Sequence, residues 1–318
     1  MLQIFVNANY DFVGKRRWFY IGSGGFVVLS LLSILLHGGL NYGIDFTGGA
    51  LIQVRYDKPV TVAQVRRGLD DIKLGNAVIQ QFGDPQEYLI RLPRIEQKPE
   101  QLAPLVQQAL AKGAGAQVEM RRLEFVGPQV GKDLQLQALY AVLAGMAGIL
   151  IYVAIRFDFR GGVTSILALA HDVIVTLGAL SITNRELSLP VLAALLTIVG
   201  YSINDTIVVF DRIRESRGRG LRKGQSLTDL INGAINQTLS RTILTSFTTF
   251  LAALVLFVFG GEVLRDFAFA LVIGVVTGTY SSVAAASLMM DWELWSRRRG
   301  STGARVAVKA EGVTAKKS

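Results

Sequence analysis

The chain has 318 residues, 51% hydrophobic and 18% charged, with a net charge of +9 and a mean hydropathy of +0.40. That apolar content excludes a disordered chain, and the charge falls short of the roughly 25% typical of soluble domains, so the composition points to a membrane protein whose basic excess needs a place to sit. With no cysteine there is no disulfide, zinc–thiolate, iron–sulfur or cysteine-nucleophile chemistry, and two histidines, His37 and His171, rule out a multi-histidine metal centre; no metal and no cofactor is expected.

The N-terminal segment 1–17 ends in Lys15-Arg16-Arg17 and opens into a first apolar stretch, 18–36. It exceeds the apolar region of a signal peptide and no small-residue cleavage site follows, so an uncleaved membrane helix is predicted. Residues 37–133 read as a separate domain. A strand at 50–56 precedes a helix capped by Thr61, with Val62, Val65, Leu69 and Ile72 at helical spacing. Strands at 77–82 and 87–92 flank the hairpin signal Gly83-Asp84-Pro85. A second helix opens at Pro99, aligns Leu102, Leu105, Val106, Ala109 and Leu110, and ends at Gly113; a last strand spans 116–126. The order βαββαβ predicts a small α+β ferredoxin-like domain.

Five further stretches, 134–155, 161–182, 190–210, 238–259 and 267–290, reach the roughly 20 residues that a membrane helix needs. The predicted fold class is therefore a polytopic α-helical membrane protein with six transmembrane helices. In the connection 211–237 a basic run is followed by Ser226 and Asp229 as a capping box, and Leu227, Leu230, Ile231, Ala234 and Ile235 share one helical face. This predicts a short amphipathic helix along the membrane surface. The end of the tail 291–318 is polar, basic and Gly/Ala-rich from 300 on, and is expected to lack structure.

Six spans put both termini on one side. Lys and Arg concentrate in the N-terminal segment, at Arg156 and Arg160, in the run from Arg212 to Lys223 and in the tail, whereas the short loops opposite hold Arg185 and Arg265. The positive-inside rule predicts cytoplasmic termini and an extracytoplasmic domain at 37–133. The pI near 9.8 then reflects orientation and contact with anionic membrane lipids, with no nucleic acid as partner. The sequence Gly218-Arg219-Gly220-Leu221-Arg222-Lys223-Gly224 is not a phosphate-binding loop, since the GxxxxGK[ST] spacing is missing and no strand precedes it. No nucleophile–base–orienter set is present, so no enzyme is expected.

Three ionisable groups besides His171 fall inside the spans: Asp172, Asp205 and Arg241. A charge at the bilayer centre costs about 3 kcal/mol on insertion scales, which makes each a functional candidate. Asp205 in the fourth span and Arg241 in the fifth stand at similar depth if the helices are antiparallel neighbours, so a direct pair is expected. One reading is a static pair that fixes helix register. The other is a proton-titrating carboxylate whose pairing with Arg241 depends on its protonation. The hydroxyls and amides of Ser202, Asn204, Thr206, Thr242, Thr245 and Ser246 favour the second. For His171 and Asp172, a structural hydrogen bond and an accessory polar role stay open. Gly274-x-x-x-Gly278, and the face of Ala141, Gly145 and Gly148, are candidate helix contacts.

Several motifs carry a family resemblance. Gly43-Ile44-Asp45-Phe46-Thr47-Gly48-Gly49 follows the first span, Ala170-His171-Asp172 lies in the third, and Gly200-Tyr201-Ser202-Ile203-Asn204-Asp205-Thr206 continues through the fourth. Asn236-Gln237-Thr238-Leu239-Ser240-Arg241-Thr242 and Gly278-Thr279-Tyr280-Ser281-Ser282 complete the set. Over about residues 10–290 the chain resembles the SecF group of the bacterial Sec protein-export machinery, within the RND superfamily. The resemblance implies a half-transporter of the bacterial cytoplasmic (inner) membrane that works with SecD, associates with the SecYEG channel and YajC, and uses the proton motive force to move unfolded preproteins. It carries proton coupling onto Asp205 and Arg241 and marks Gly43, Asp45, Gly48 and Gly49 as signature. By their own chemistry His171, Asp172, Asn204 and Thr206 read as accessory polar groups, and the signature glycines suit a hinge or equally a plain tight turn. The alternatives are an RND-type exporter of lipids or small molecules, which requires a sizeable apolar cavity in the extracytoplasmic domain, and a non-transporting scaffold for the Sec channel.

Overall fold

The computed structural model describes residues 8–82, 84–92, 99–220 and 224–314. Gly83 of the expected hairpin turn, and Leu221, Arg222 and Lys223 of the basic run, lie outside them. The chain divides into two compact units: Asn41–Leu143 with Glu186–Leu189, and the remainder.

The first unit is the inserted domain. After helix α1 (Arg16–Leu36) come a one-turn helix α2 (Ile44–Thr47), then β1 (Gly49–Tyr56), α3 (Val62–Asp70), β2 (Val78–Phe82), β3 (Asp84–Leu92), α4 (Pro99–Ala114) and β4 (Val118–Val126). The βαββαβ order is the expected one, and the antiparallel sheet runs β2-β3-β1-β4. Local chemistry accounts for the element ends. Thr61 accepts from the Gln64 amide while the Gln64 side chain returns to the Thr61 amide, a complete capping box. The β2–β3 hairpin is tighter than expected, with Phe82 opposite Asp84.

Alternation along β1 sends Ala50, Ile52, Val54 and Tyr56 inward, where they meet Tyr88, Ile90 and Leu92 of β3 and Val65, Leu69, Leu102, Val106 and Leu110 of the helices. The two buried tyrosines stack edge-on at 5.9 Å, and Tyr88 Oη donates to the Val60 carbonyl at 2.5 Å. Burial pushes both phenols above their usual range, further for Tyr56 beside Tyr88. The helices touch through glycine: a Cβ on Gly68 would stand 2.6 Å from the Ala109 carbonyl oxygen, and one on Gly113 2.4 Å from Gly68 Cα.

The second unit contains α1, the part of α5 (Pro128–Arg156) from Ala144 on, α6 (Phe159–Ile182), α7 (Leu189–Gly218) after its first residue, α8 (Leu227–Phe259) and α9 (Gly261–Thr314). Among the described residues six helices are long and apolar enough to span a membrane, the expected number. Close approach is again set by small residues. A Cβ on Gly178 of α6 would lie 2.1 Å from Ser30 Oγ of α1, and Ser33 meets Ser181 between the same helices at 2.9 Å. The Gly274/Gly278 motif of α9 receives Ile198 and Ser202 of α7, at 2.3 and 3.1 Å from the would-be Cβ atoms.

The second expected glycine face does not hold throughout. Gly145 makes an ordinary contact with Leu196, but Gly148 has no atom within 4 Å of its would-be Cβ.

The stretch 128–133 belongs to the unit of the inserted domain and is helical, forming the start of α5. Two other expectations are corrected. The amphipathic segment of 211–237 is not a separate surface helix. α7 runs on to Gly218, and α8 starts at Leu227 and continues unbroken into the fifth span, since no proline lies between the Ser226 cap and Gly260. Its apolar face packs on protein instead of lipid: Leu227, Leu230, Ile231, Ala234 and Ile235 join Val13, Phe210, Ile213, Met289 and Met290 in a core. The carboxamides of Asn232 and Asn236 also clamp the backbone of Tyr10 and Phe12 at 2.8–2.9 Å. Finally, α9 runs on to Thr314, past the end of the sixth span.

Gly68→Ala is expected to force α3 and α4 apart at a cost of about 1–3 kcal/mol. Faster cleavage of the inserted domain in the full-length protein by limited proteolysis checks this, with Gly127→Ala, whose would-be Cβ meets no atom within 4 Å, as a comparison.

Candidate functional site

Among the described residues three carboxylates are buried in the helical unit: Asp172 with no exposure, Asp205 with 2% and Glu293 with 7%. Glu293 pairs with Arg217. Neither of the others is within ion-pair distance of a lysine or arginine among those residues, and the shells around them are hydroxyls, joined at Asp172 by the His171 ring.

Asp172, midway along α6, is held by three elements. Ser202 Oγ of α7 and Ser281 Oγ of α9 donate to its Oδ2 at 2.5 and 2.8 Å. Its other oxygen, Oδ1, is 2.9 Å from Nδ1 of the adjacent His171. The His171 side chain is 10% exposed, its Nε2 is buried without a protein partner, and the ring faces Tyr280 at 6.2 Å. Beside it lies a cavity of about 120 Å³ lined by Tyr20, Ser23, Thr164, His171 and Ser281 among others, ample for water.

Asp205 is one helical turn beyond Ser202 on α7. Ser246 Oγ of α8 donates to its Oδ2 at 3.3 Å. That hydroxyl also accepts from Tyr201 Oη of α7 at 3.0 Å and lies 2.7 Å from Thr279 Oγ1 of α9. Ser246 therefore gathers three helices around Asp205 as Asp172 gathers three around itself. The two centres are linked through α7 by Ser202 and Asp205, and through α9 by Thr279 and Ser281.

The expected direct pair between Asp205 and Arg241 is absent. Arg241 is exposed, five residues or about 7.5 Å of helix rise from Ser246, and the position nearest Asp205 is taken by the serine. The proposed wet path is also narrower than expected. Only Ser202 and Ser246 of the six residues reach a carboxylate. Thr206 and Thr245 bond to their own helix backbones, Asn204 is exposed, and Thr242 Oγ1 is buried without a partner. Sequence reasoning ranked Asp172 as accessory and overlooked Tyr201, Thr279 and Ser281 as donors. The signal was the polar run 279–282 in an apolar span. Hydroxyls both donate and accept, so a shell of this kind can bond a protonated carboxylic acid or a carboxylate by turning its hydroxyls.

At the outset of the domain, Gly48 and Gly49 take φ of +67° and +123°, which only glycine adopts readily, and form the turn into β1. Gly43 differs: its φ of −68° is open to any residue. What it lacks is room, because a Cβ would meet the Leu187 carbonyl oxygen, Glu186 Oε2 and Ser188 Cα at 3.4–3.5 Å. Its expected role as a bend is corrected to one of close packing.

Residues 106–295 match the family described as protein export membrane protein SecD/SecF, C-terminal, and residues 33–60 match the SecD/SecF GG motif. The chain belongs to the SecD/SecF family. It is 49% identical over 283 residues to protein translocase subunit SecF of Calditerrivibrio nitroreducens, covering 88% of this chain and 93% of that one. With the SecF subunit of Pseudomonas aeruginosa the identity is 41% over 288 residues, covering 88% and 92%. A crystal structure of SecDF from Thermus thermophilus, described as a translocon-associated membrane protein, superposes with a TM-score of 0.79 at 42% identity, over 90% of this chain and 39% of that one. SecDF in its super-membrane-facing form gives 0.65 at 40% identity, over 94% and 40%. The chain thus spans about two-fifths of those SecDF chains and nearly the full length of the SecF subunits. It is a multi-pass membrane protein with a role in Sec protein export.

Ser202→Ala and Ser281→Ala should each lower stability by about 1.5–3 kcal/mol, the range for a hydrogen bond to a charged group. Asn204→Ala, on an exposed face, should stay within about 0.5 kcal/mol. Thermal unfolding of the three variants in detergent micelles tests the order.

Proposed function

We propose that the chain is the SecF half of a SecD–SecF unit and that proton exchange at Asp205 drives its part in preprotein export. The observation that carries this is the hydroxyl-only shell of a buried carboxylate: with no cation in contact, Asp205 is held by Ser246, a group whose hydroxyl can bond either the acid or the anion. In the arrangement described here Ser246 holds the carboxyl. When the proton leaves, the anion attracts Arg241 of the neighbouring helix, and α7 and α8 readjust. Asp172, with His171, is an accessory polar group that keeps α6, α7 and α9 together through the change, while Asn204 and Thr206 flank the coupling residue.

The orientation proposed is cytoplasmic termini with residues 37–133 on the outer side of the bacterial inner membrane, supported by the distribution of Lys and Arg. The SecYEG channel, YajC and an unfolded preprotein are the further partners that this role entails, with protons as the coupling ion. SecD supplies the other half, in keeping with the two-fifths share of the SecDF chains. The exporter alternative loses ground because the interior of the inserted domain is filled by its own core. No enzymatic activity is proposed.

Proteoliposomes containing SecD with the wild-type or Asp205→Asn chain provide the test. The variant should lose proton conductance and proton-dependent export while still co-purifying with SecD; wild-type conductance in that variant would overturn the reading.

A further inference from the structure

The connection between α6 and α7 is divided between the two units. Arg185 stays with the helices, where it pairs with Asp266 and stacks over Phe269 at 4.4 Å. Residues 186–189 belong to the inserted domain. They join it through an isolated bridge: the Leu187 amide donates to the Asn41 carbonyl at 2.7 Å, the Gly43 amide donates to the Leu187 carbonyl at 2.9 Å, and Tyr42 and Leu187 pair in parallel. Glu186 forms an ion pair with Arg91 of β3, and Arg91 Nη1 also donates to Asn41 Oδ1 at 2.9 Å. The two side chains are only 11% and 18% exposed, in the class of buried pairs whose disruption is costly because one charge is left without its partner. Asp45 Oδ2 then accepts from the amide of Leu189 at 2.9 Å. Leu189 is the first residue of α7, so Asp45 satisfies one of that helix's free amides and places a negative charge at its positive end.

The same short segment abuts a second long helix. Gly131 of α5 packs against the Gly48 amide, its would-be Cβ 3.1 Å away, and Gln135 of α5 donates to the Phe46 carbonyl.

From this we infer that the 43–49 signature is a clasp, and that Asp45, Arg91 and Glu186 are positioning residues that join the start of α7 to the inserted domain, so that movement of α7 is delivered to that domain. This rests on the proposed role of Asp205, which lies sixteen residues, about 24 Å, further along the same helix. Each signature residue has its own part. Gly43 leaves room for the bridge to Leu187, Asp45 caps α7, and Gly48 and Gly49 make the turn that returns the chain to β1. The clasp is a joint and not a proton site, so breaking it separates two readouts that a loss of folding would move together.

The test uses the full chain with SecD, reading proton conductance in proteoliposomes and export in cells depleted of the native subunit. Arg91→Glu and Glu186→Arg are each expected to lower export roughly tenfold while conductance stays near wild type, and the double exchange should restore export. Because the chain has no cysteine, Tyr42→Cys with Leu187→Cys gives a second test independent of the charges. β-Bridge partners are near enough for a disulfide, and export should continue after oxidation. Wild-type export in either single variant, a double exchange no better than the singles, or arrest on oxidation overturns the inference. Asp205→Asn in the same vesicles keeps the two ideas apart: unchanged conductance there refutes the proton reading alone, while the charge exchange still reports on the clasp through export.

Discussion

A carboxylate placed among apolar helices, with no cation in contact, has to find its hydrogen bonds in the protein, and that requirement organises the helical unit. Asp172 takes hydroxyls from α7 and α9, and Asp205 takes one from α8 that is itself bonded to α7 and α9. Between helices in lipid there is little hydrophobic drive to associate, so packing of small residues and polar contacts carry the assembly. Here the two coincide: Gly278 of α9, which admits Ser202 closely, lies three residues before Ser281, which shares Asp172 with that same serine. A larger residue at Gly278 would lengthen both hydrogen bonds at once.

The inserted domain follows different physics. Its core is an ordinary apolar layer between one sheet and two helices, closed by the glycine contact of α3 and α4. Its polar investment lies at the edge, in the buried Arg91–Glu186 pair and the cap that Asp45 gives α7. Burial pushes the Arg91 guanidinium below its usual range, which makes the neighbouring carboxylate and the Asn41 carbonyl oxygen of its side chain necessary company.

What was legible in the sequence was what nearby residues decide. The six spans follow from runs of apolar residues, the βαββαβ order from period-two and helical spacing, and the starts of α3 and α8 from the Thr61 and Ser226 boxes. Asp205 stood out through its cost in an apolar stretch. The remainder depends on partners far apart in the chain. Asp172 is explained by Ser202 and Ser281, thirty and more than a hundred residues away, and Gly43 by Leu187. Depth along two helices suggested that Asp205 and Arg241 meet, but depth does not fix rotation, and rotation brings Ser246 to the carboxylate instead. The face of Leu227, Leu230 and Ile231 was read correctly as apolar, yet periodicity does not say whether lipid or protein covers it.

One feature of α7 limits how it can move. Its first amide is held by Asp45, while near its other end Phe210 and Ile213 are buried with α8 and α9. Translation along the axis would strain one end or the other, whereas rotation about it would turn Ser202 and Asp205 relative to their partners on α6 and α8.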